Sequence, residues 1–145
     1  MFQHILHRSS SLGRLTARVT LALCLFAGSA VHAKTFDSRG RTNLTAGPVP
    51  EDLVVCDLDG DGDLDIAVAN TDAGGSAGVD DSVSVFLNDA DGTFAPAVSL
   101  AVGDRPEGIV AGFFNGDGIP DLATANFAGS SVSILLGIGG GAFAT

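Results

Sequence analysis

The chain is 145 residues long and carries 17 acidic against 7 basic residues, a net charge of −10, with no Trp and no Tyr. A chain so acidic repels nucleic acid and anionic membrane surfaces and attracts cations, which argues against the first two as partners. Its length allows one small domain.

The first 33 residues read as a leader. Arg8, Arg14 and Arg18 lie in an acid-free stretch, an apolar run follows from Val19 to Ala27, and Val31-His32-Ala33 offers a signal-peptidase site. A positive region, an apolar region and a cleavage site in that order mark a secretory signal peptide. The apolar run is shorter than the roughly 20 residues a membrane span requires, so no span is expected once the signal is cleaved. The predicted product is secreted or extracytoplasmic, in the periplasm or at the cell surface. Leu23 is too large beside Cys24 for a lipoprotein signal. Cleavage removes His4, His7 and His32, every histidine of the chain, and leaves Cys56 as a lone thiol. No disulfide can then form within one monomer, and Cys56, ending an apolar run, is expected in the core. Residues 34–47 form a short N-terminal segment that includes the sequon Asn43-Leu44-Thr45, which has meaning only in a glycosylating host.

An internal repeat organises the remainder, with one unit over 48–102 and a second over 103–145. Pro50-Glu51-Asp52-Leu53-Val54-Val55 returns as Pro106-Glu107-Gly108-Ile109-Val110-Ala111, and Ile66-Ala67-Val68-Ala69-Asn70 as Leu122-Ala123-Thr124-Ala125-Asn126. Ser82-Val83-Ser84-Val85-Phe86-Leu87 returns as Ser131-Val132-Ser133-Ile134-Leu135-Leu136. The last match is more closely spaced than the others, which places an insertion of the first unit within Asp72–Asp81. Within the first unit, Leu53–Cys56, Leu64–Ala69, Ser82–Leu87 and Val98–Val102 are short, β-branched and bounded by turn residues. They predict strands, with the alternation of Ser82-Val83-Ser84-Val85 suggesting a half-buried one.

The expected fold is therefore all-β, with β-propeller-type repeats and about two four-stranded blades. Thr35-Phe36 stands in the phase of Thr93-Phe94, and Ala142-Phe143 returns to it, an offset that suits a ring closed by its leading strand. A ring needs about four to eight blades. The propeller is thus expected to be incomplete, the second unit truncated, with either further repeats or self-association required for closure.

The chemistry lies in Asp57-Leu58-Asp59-Gly60-Asp61-Gly62-Asp63-Leu64-Asp65, where a carboxylate occupies every second position. Crowded anions resist folding unless they are neutralised, and Ca2+ accepts six to eight oxygens at flexible geometry. Asp57, Asp59, Asp61 and Asp65 are predicted as side-chain ligands and Asp63 as a carbonyl ligand. An EF-hand would need an acidic residue where Val68 stands, so that motif does not apply.

This pattern, set between two short strands and followed by Gly92-Thr93-Phe94 and Gly141-Ala142-Phe143, resembles the FG-GAP/VCBS repeats of integrin α-chain heads and many secreted bacterial proteins. The resemblance covers nearly all of Pro48 onward. It implies a propeller with calcium in the loop joining the first two strands of a blade, and surfaces used for adhesion or ligand binding. The second copy departs from the pattern, since Phe113 replaces the first Asp and Pro120 precedes the last. Asn115, Asp117, the Ile119 carbonyl and Asp121 remain as ligands of a weaker site.

The favoured function is a calcium-stabilised adhesion or ligand-binding module for an extracellular protein or carbohydrate. The alternatives are a non-functional fragment of a longer propeller protein and, less favoured, a carbohydrate-active enzyme domain. Glu51, Glu107 or Asp104 could in principle supply a carboxylate pair. Glu51 and Glu107 recur with the repeat, however, which suits structure better than catalysis, and no enzyme is expected.

Overall fold

The computed structural model describes residues 42–72 and 80–144. The leader, Thr35-Phe36 and most of the Asp72–Asp81 insertion lie outside the described residues. Among the described residues there is no helix. The strands are β1 (Pro50–Cys56), β2 (Asp65–Asn70), β3 (Ser82–Phe86), β4 (Val98–Ala101), β5 (Pro106–Gly112), β6 (Asp121–Asn126), β7 (Ser131–Leu135), β8 (Gly137–Gly139) and β9 (Ala142–Phe143).

These strands build antiparallel meanders. The first sheet runs β1-β2-β3-β4, the second β5-β6-β7, and β8-β9 forms a separate hairpin. The registers of the two sheets correspond. Val54 faces Ala67 and Ala67 faces Val85 in the first, while Val110 faces Ala123 and Ala123 faces Ile134 in the second. Both first strands also carry an irregularity at the same place, Pro50/Asp52 and Pro106/Gly108. The repeat seen in the sequence is thus a repeat of strand pairing. The result is an all-β, unclosed propeller-like pair of blades, with four strands in the first blade and three in the second.

The core is the seam between the blades. Val54, Cys56, Ala67, Ala69, Val83 and Val85 of the first sheet meet Ile109, Leu122 and Leu135 of the second. Cys56 is buried there, as its place at the end of an apolar run suggested. Polar groups finish the seam. Asp52 accepts Leu53 N at 2.9 Å and, across the seam, Ile109 N at 3.1 Å. Asp81 accepts Asp72 N at 2.9 Å from its own blade and Arg105 N at 3.0 Å from the next. Hydrogen bonds to a charged acceptor are stronger than neutral ones, so these two carboxylates fix how the blades meet.

Strand β3 departs from the half-buried reading, because all five of its residues are buried. Val83 and Val85 face the seam. Ser82 and Ser84 face the other way, where Ser84 Oγ accepts Gly47 N at 3.2 Å and Asn70 Nδ2 at 3.0 Å. Alternation in a sequence reports polarity. Here the polar face is also covered, by hydrogen-bonding partners that satisfy the serines.

Candidate metal centre

The acidic run forms the connection from β1 to β2, and its backbone is organised by its own side chains. Asp57 accepts Gly60 N at 2.7 Å on one oxygen and Gly62 N at 3.1 Å on the other. Asp59 accepts Asp61 N at 3.1 Å, and Asp61 accepts Asp63 N at 2.8 Å. Such side chain-to-backbone bonds two residues apart are the means by which Asp holds turns. Gly60 and Gly62 take φ values of 88° and 95°, a region that residues with a Cβ enter at a cost. The turns bring one oxygen from each of Asp57, Asp59 and Asp61 within 4.8 Å of the others.

Electrostatics record the crowding. The Asp59 carboxyl is held above the usual carboxylate range, first by loss of solvent and then by the charges of Asp61 and Asp57, against a lowering hydrogen bond from the Asp61 backbone. Asp65 is likewise pushed up, chiefly by burial, with the charges of Asp59 and Asp61 adding to it. Backbone N–H groups of Asn88 and Leu58 act in the opposite direction.

Asp65 has a second occupation. It is fully buried at the start of β2, and its oxygens accept Leu58 N at 2.7 Å and Asn88 N at 2.8 Å. It therefore ties the acidic loop to the end of β3, and it lies outside the three-carboxylate group. Asp121 repeats the arrangement in the second blade, accepting Phe114 N at 2.7 Å and Gly137 N at 2.8 Å. Reading the sequence for ligands alone overlooked this stapling role. The available signal was that the last Asp of the run recurs in the second unit while the first does not.

The second loop folds in the same way with fewer charges. Gly116 and Gly118 take φ values of 79° and 81°. Asn115 accepts Asp117 N at 3.0 Å and Asp117 accepts Ile119 N at 2.8 Å. The Asn115 amide also donates to Asp117 Oδ2 at 2.7 Å, so a neutral donor faces the carboxylate where the first loop has another anion. Phe113 stands half-exposed in place of the first Asp. Among the described residues, a cluster of three potential anionic ligands occurs in the first loop alone.

Residues 57–124, from the first Asp of the acidic loop into β6, match the FG-GAP-like repeat family. The chain carries an FG-GAP-like repeat. The Gly-x-Phe steps of the FG-GAP-like units sit at equivalent places in the fold. Phe94 bridges to Asn88, and Phe143 pairs with Gly137. No curated protein and no solved structure matches the chain.

Proposed function

We propose that the chain is a secreted, non-catalytic binding module whose first acidic loop holds a structural Ca2+. The observation that carries this reading is the comparison of the two loops. Both have the same turns, the same left-handed glycines and the same buried carboxylate at the start of the following strand. The second reaches that geometry with Asn115 and Phe113 in place of Asp59 and Asp57. Folding of the turn therefore requires acceptors at these positions, not three clustered negative charges. The excess charge of the first loop costs free energy unless a cation balances it.

The donor set selects the class of cation. Asp57, Asp59 and Asp61 are oxygen donors with no imidazole or thiolate in the group, which favours a hard ion over zinc or copper. Their carboxylates would hold it, with the Asp63 carbonyl and Asp65 completing the set. Asp65 can serve in both capacities, since a carboxylate oxygen that accepts one N–H retains a second lone pair. Asn115, Asp117, the Ile119 carbonyl and Asp121 would form a weaker site. The ion would neutralise the loop and fasten β1 to β2, so its binding free energy would add to folding free energy. The exterior face of the repeat would then meet an extracellular protein or carbohydrate, in keeping with the secretory leader.

Calorimetry and thermal melting with calcium, magnesium and chelator test the reading. Calcium at 100 times its Kd should stabilise the fold by about 2.7 kcal/mol, a shift of roughly 10 °C or more for a domain of this size. Asp61→Ala should abolish that shift. No heat of binding and no calcium-dependent melting in a well-folded, chelated sample would refute it.

A further inference from the structure

The second blade leaves uncovered the face that the first blade has covered. Val54, Val83 and Val85 lie against the second blade and are 1%, 0% and 1% exposed. Their counterparts Val110, Val132 and Ile134 are 44%, 65% and 57% exposed. Together with Ala123 and Ala125 they border a shallow concavity of about 390 Å³. Three large aliphatic side chains on one sheet face form the kind of patch that marks an interaction site.

The molecule itself shows what fits such a face. The first blade's version is covered by Ile109, Leu122 and Leu135 of the next blade. The corresponding positions of the first blade are Leu53, Ile66 and Phe86, again large and apolar, on the side of that blade turned away from the seam. We propose that the exposed face of the second blade binds the outward face of the first blade of another copy, head to tail, repeating between molecules the seam that exists within one.

Two details favour this contact over a symmetric one. Across the intramolecular seam Ile109 N needs an acceptor and finds Asp52. Its counterpart on an incoming copy, Leu53 N, is already bonded to its own Asp52 at 2.9 Å. The receiving blade has Gly108 where Asp52 stands in the first, so it makes room for that carboxylate and leaves no orphaned donor. In addition, the Gly47–Ser84 hydrogen bond at the first blade's outward face has a counterpart at the seam, Gly103 N to Ser133 Oγ at 3.0 Å. The segment entering each blade thus takes the same path, and that path does not prevent packing at the existing seam. A head-to-tail contact is heterologous, so it extends to rings or filaments rather than stopping at a dimer.

Sedimentation of the protein, expressed from its full sequence and purified as the cell processes it, tests the proposal. Average mass should rise at least twofold between micromolar and near-millimolar concentration. Added salt should promote the rise, because two copies of charge −10 repel and the contact itself is apolar. Ile134→Lys, on an exposed position, should abolish self-association and leave the far-ultraviolet spectrum and melting temperature unchanged. Mixed with wild type, Ile134→Lys should still cap it into heterodimers through its intact first blade. A wild type that stays monomeric, an association that Ile134→Lys does not disturb, one that salt weakens, or a variant that fails to pair with wild type would each overturn the proposal.

Discussion

Replacing Val68 by Thr should stabilise the protein, although it puts a hydroxyl into the core. Asn70 and Asn126 occupy the same position at the ends of β2 and β6, and both are buried. The Asn126 amide is satisfied at both ends, because Nδ2 donates to Ser131 and Ser133 while Oδ1 accepts the Thr124 hydroxyl at 2.9 Å. Asn70 Nδ2 meets Ser84 Oγ at 3.0 Å, Val68 O at 3.2 Å and Ser82 O at 3.4 Å. Its Oδ1 has no partner. The difference lies two residues earlier, where the first blade has Val68 and the second Thr124. A buried acceptor without a donor costs about 1–3 kcal/mol, and the methyl lost from Val68 is worth about 0.8 kcal/mol. The expected net gain is about 1 kcal/mol. The converse change, Thr124→Val, strands Asn126 Oδ1 and should cost about 1–2 kcal/mol. Urea titrations at fixed calcium measure both, with an unchanged slope showing that the denatured state is not responsible. If Val68→Thr destabilises while Thr124→Val is neutral, hydroxyl-to-amide pairing is not what distinguishes the blades.

Two further outcomes follow from the carboxylates. Asp65→Asn removes the charge from a group holding two backbone N–H groups and turns a donor toward one of them; it should cost about 2–3 kcal/mol in chelator as well as in calcium. A loss seen only in calcium would assign Asp65 to the ion and not to the fold. In ion-free buffer, the raised Asp59 and Asp65 carboxyls mean that the folded state binds protons more tightly than the unfolded one. Their effect on stability should therefore become more favourable as pH falls from neutral toward the ordinary carboxylate value of 3.8, and less favourable as pH rises back through their folded-state values. Asp91, lowered by its hydrogen bonds from Thr93, acts oppositely, and its contribution is lost as pH falls below 3.8. Melting temperature against pH should then rise on mild acidification in chelator and fall in saturating calcium, where protons compete with the ion; parallel curves would contradict this.

Strand positions and pairing were legible because the repeat gives two readings of one pattern. Pro50 and Pro106, the acidic turns and the Ser-x-Ser strands reappear in order, and strands that recur with the same spacing pair with the same register. The use of each face was less legible. Val83 and Val132 are the same residue type in the same strand context, yet one is buried and the other exposed, since what covers a strand is a neighbouring blade and not a property of the strand. At the acidic loop, Asp57, Asp59 and Asp61 could be grouped from spacing alone. The stapling by Asp65 could not, because it depends on Asn88, which the fold brings from the far side of the inserted segment.

The two loops also differ in how firmly they are held, which bears on ion binding independently of charge. In the first, Leu58 N bonds to Asp65 and the Leu58 side chain is buried in the seam between the blades. The loop is pinned through both backbone and side chain. In the second, Phe114 makes the equivalent backbone bond to Asp121, but its ring is half-exposed. That ring lies back over Gly112, where an added Cβ would come within 2.7 Å of it; the first blade has Cys56 at that position. Calcium affinity depends on the rigidity of a site as well as on its carboxylate count, and ordering a loose loop subtracts from the binding free energy. The first loop therefore has two separate advantages, three clustered charges and a side chain anchored in the core, and restoring charge at Phe113 would supply only one of them.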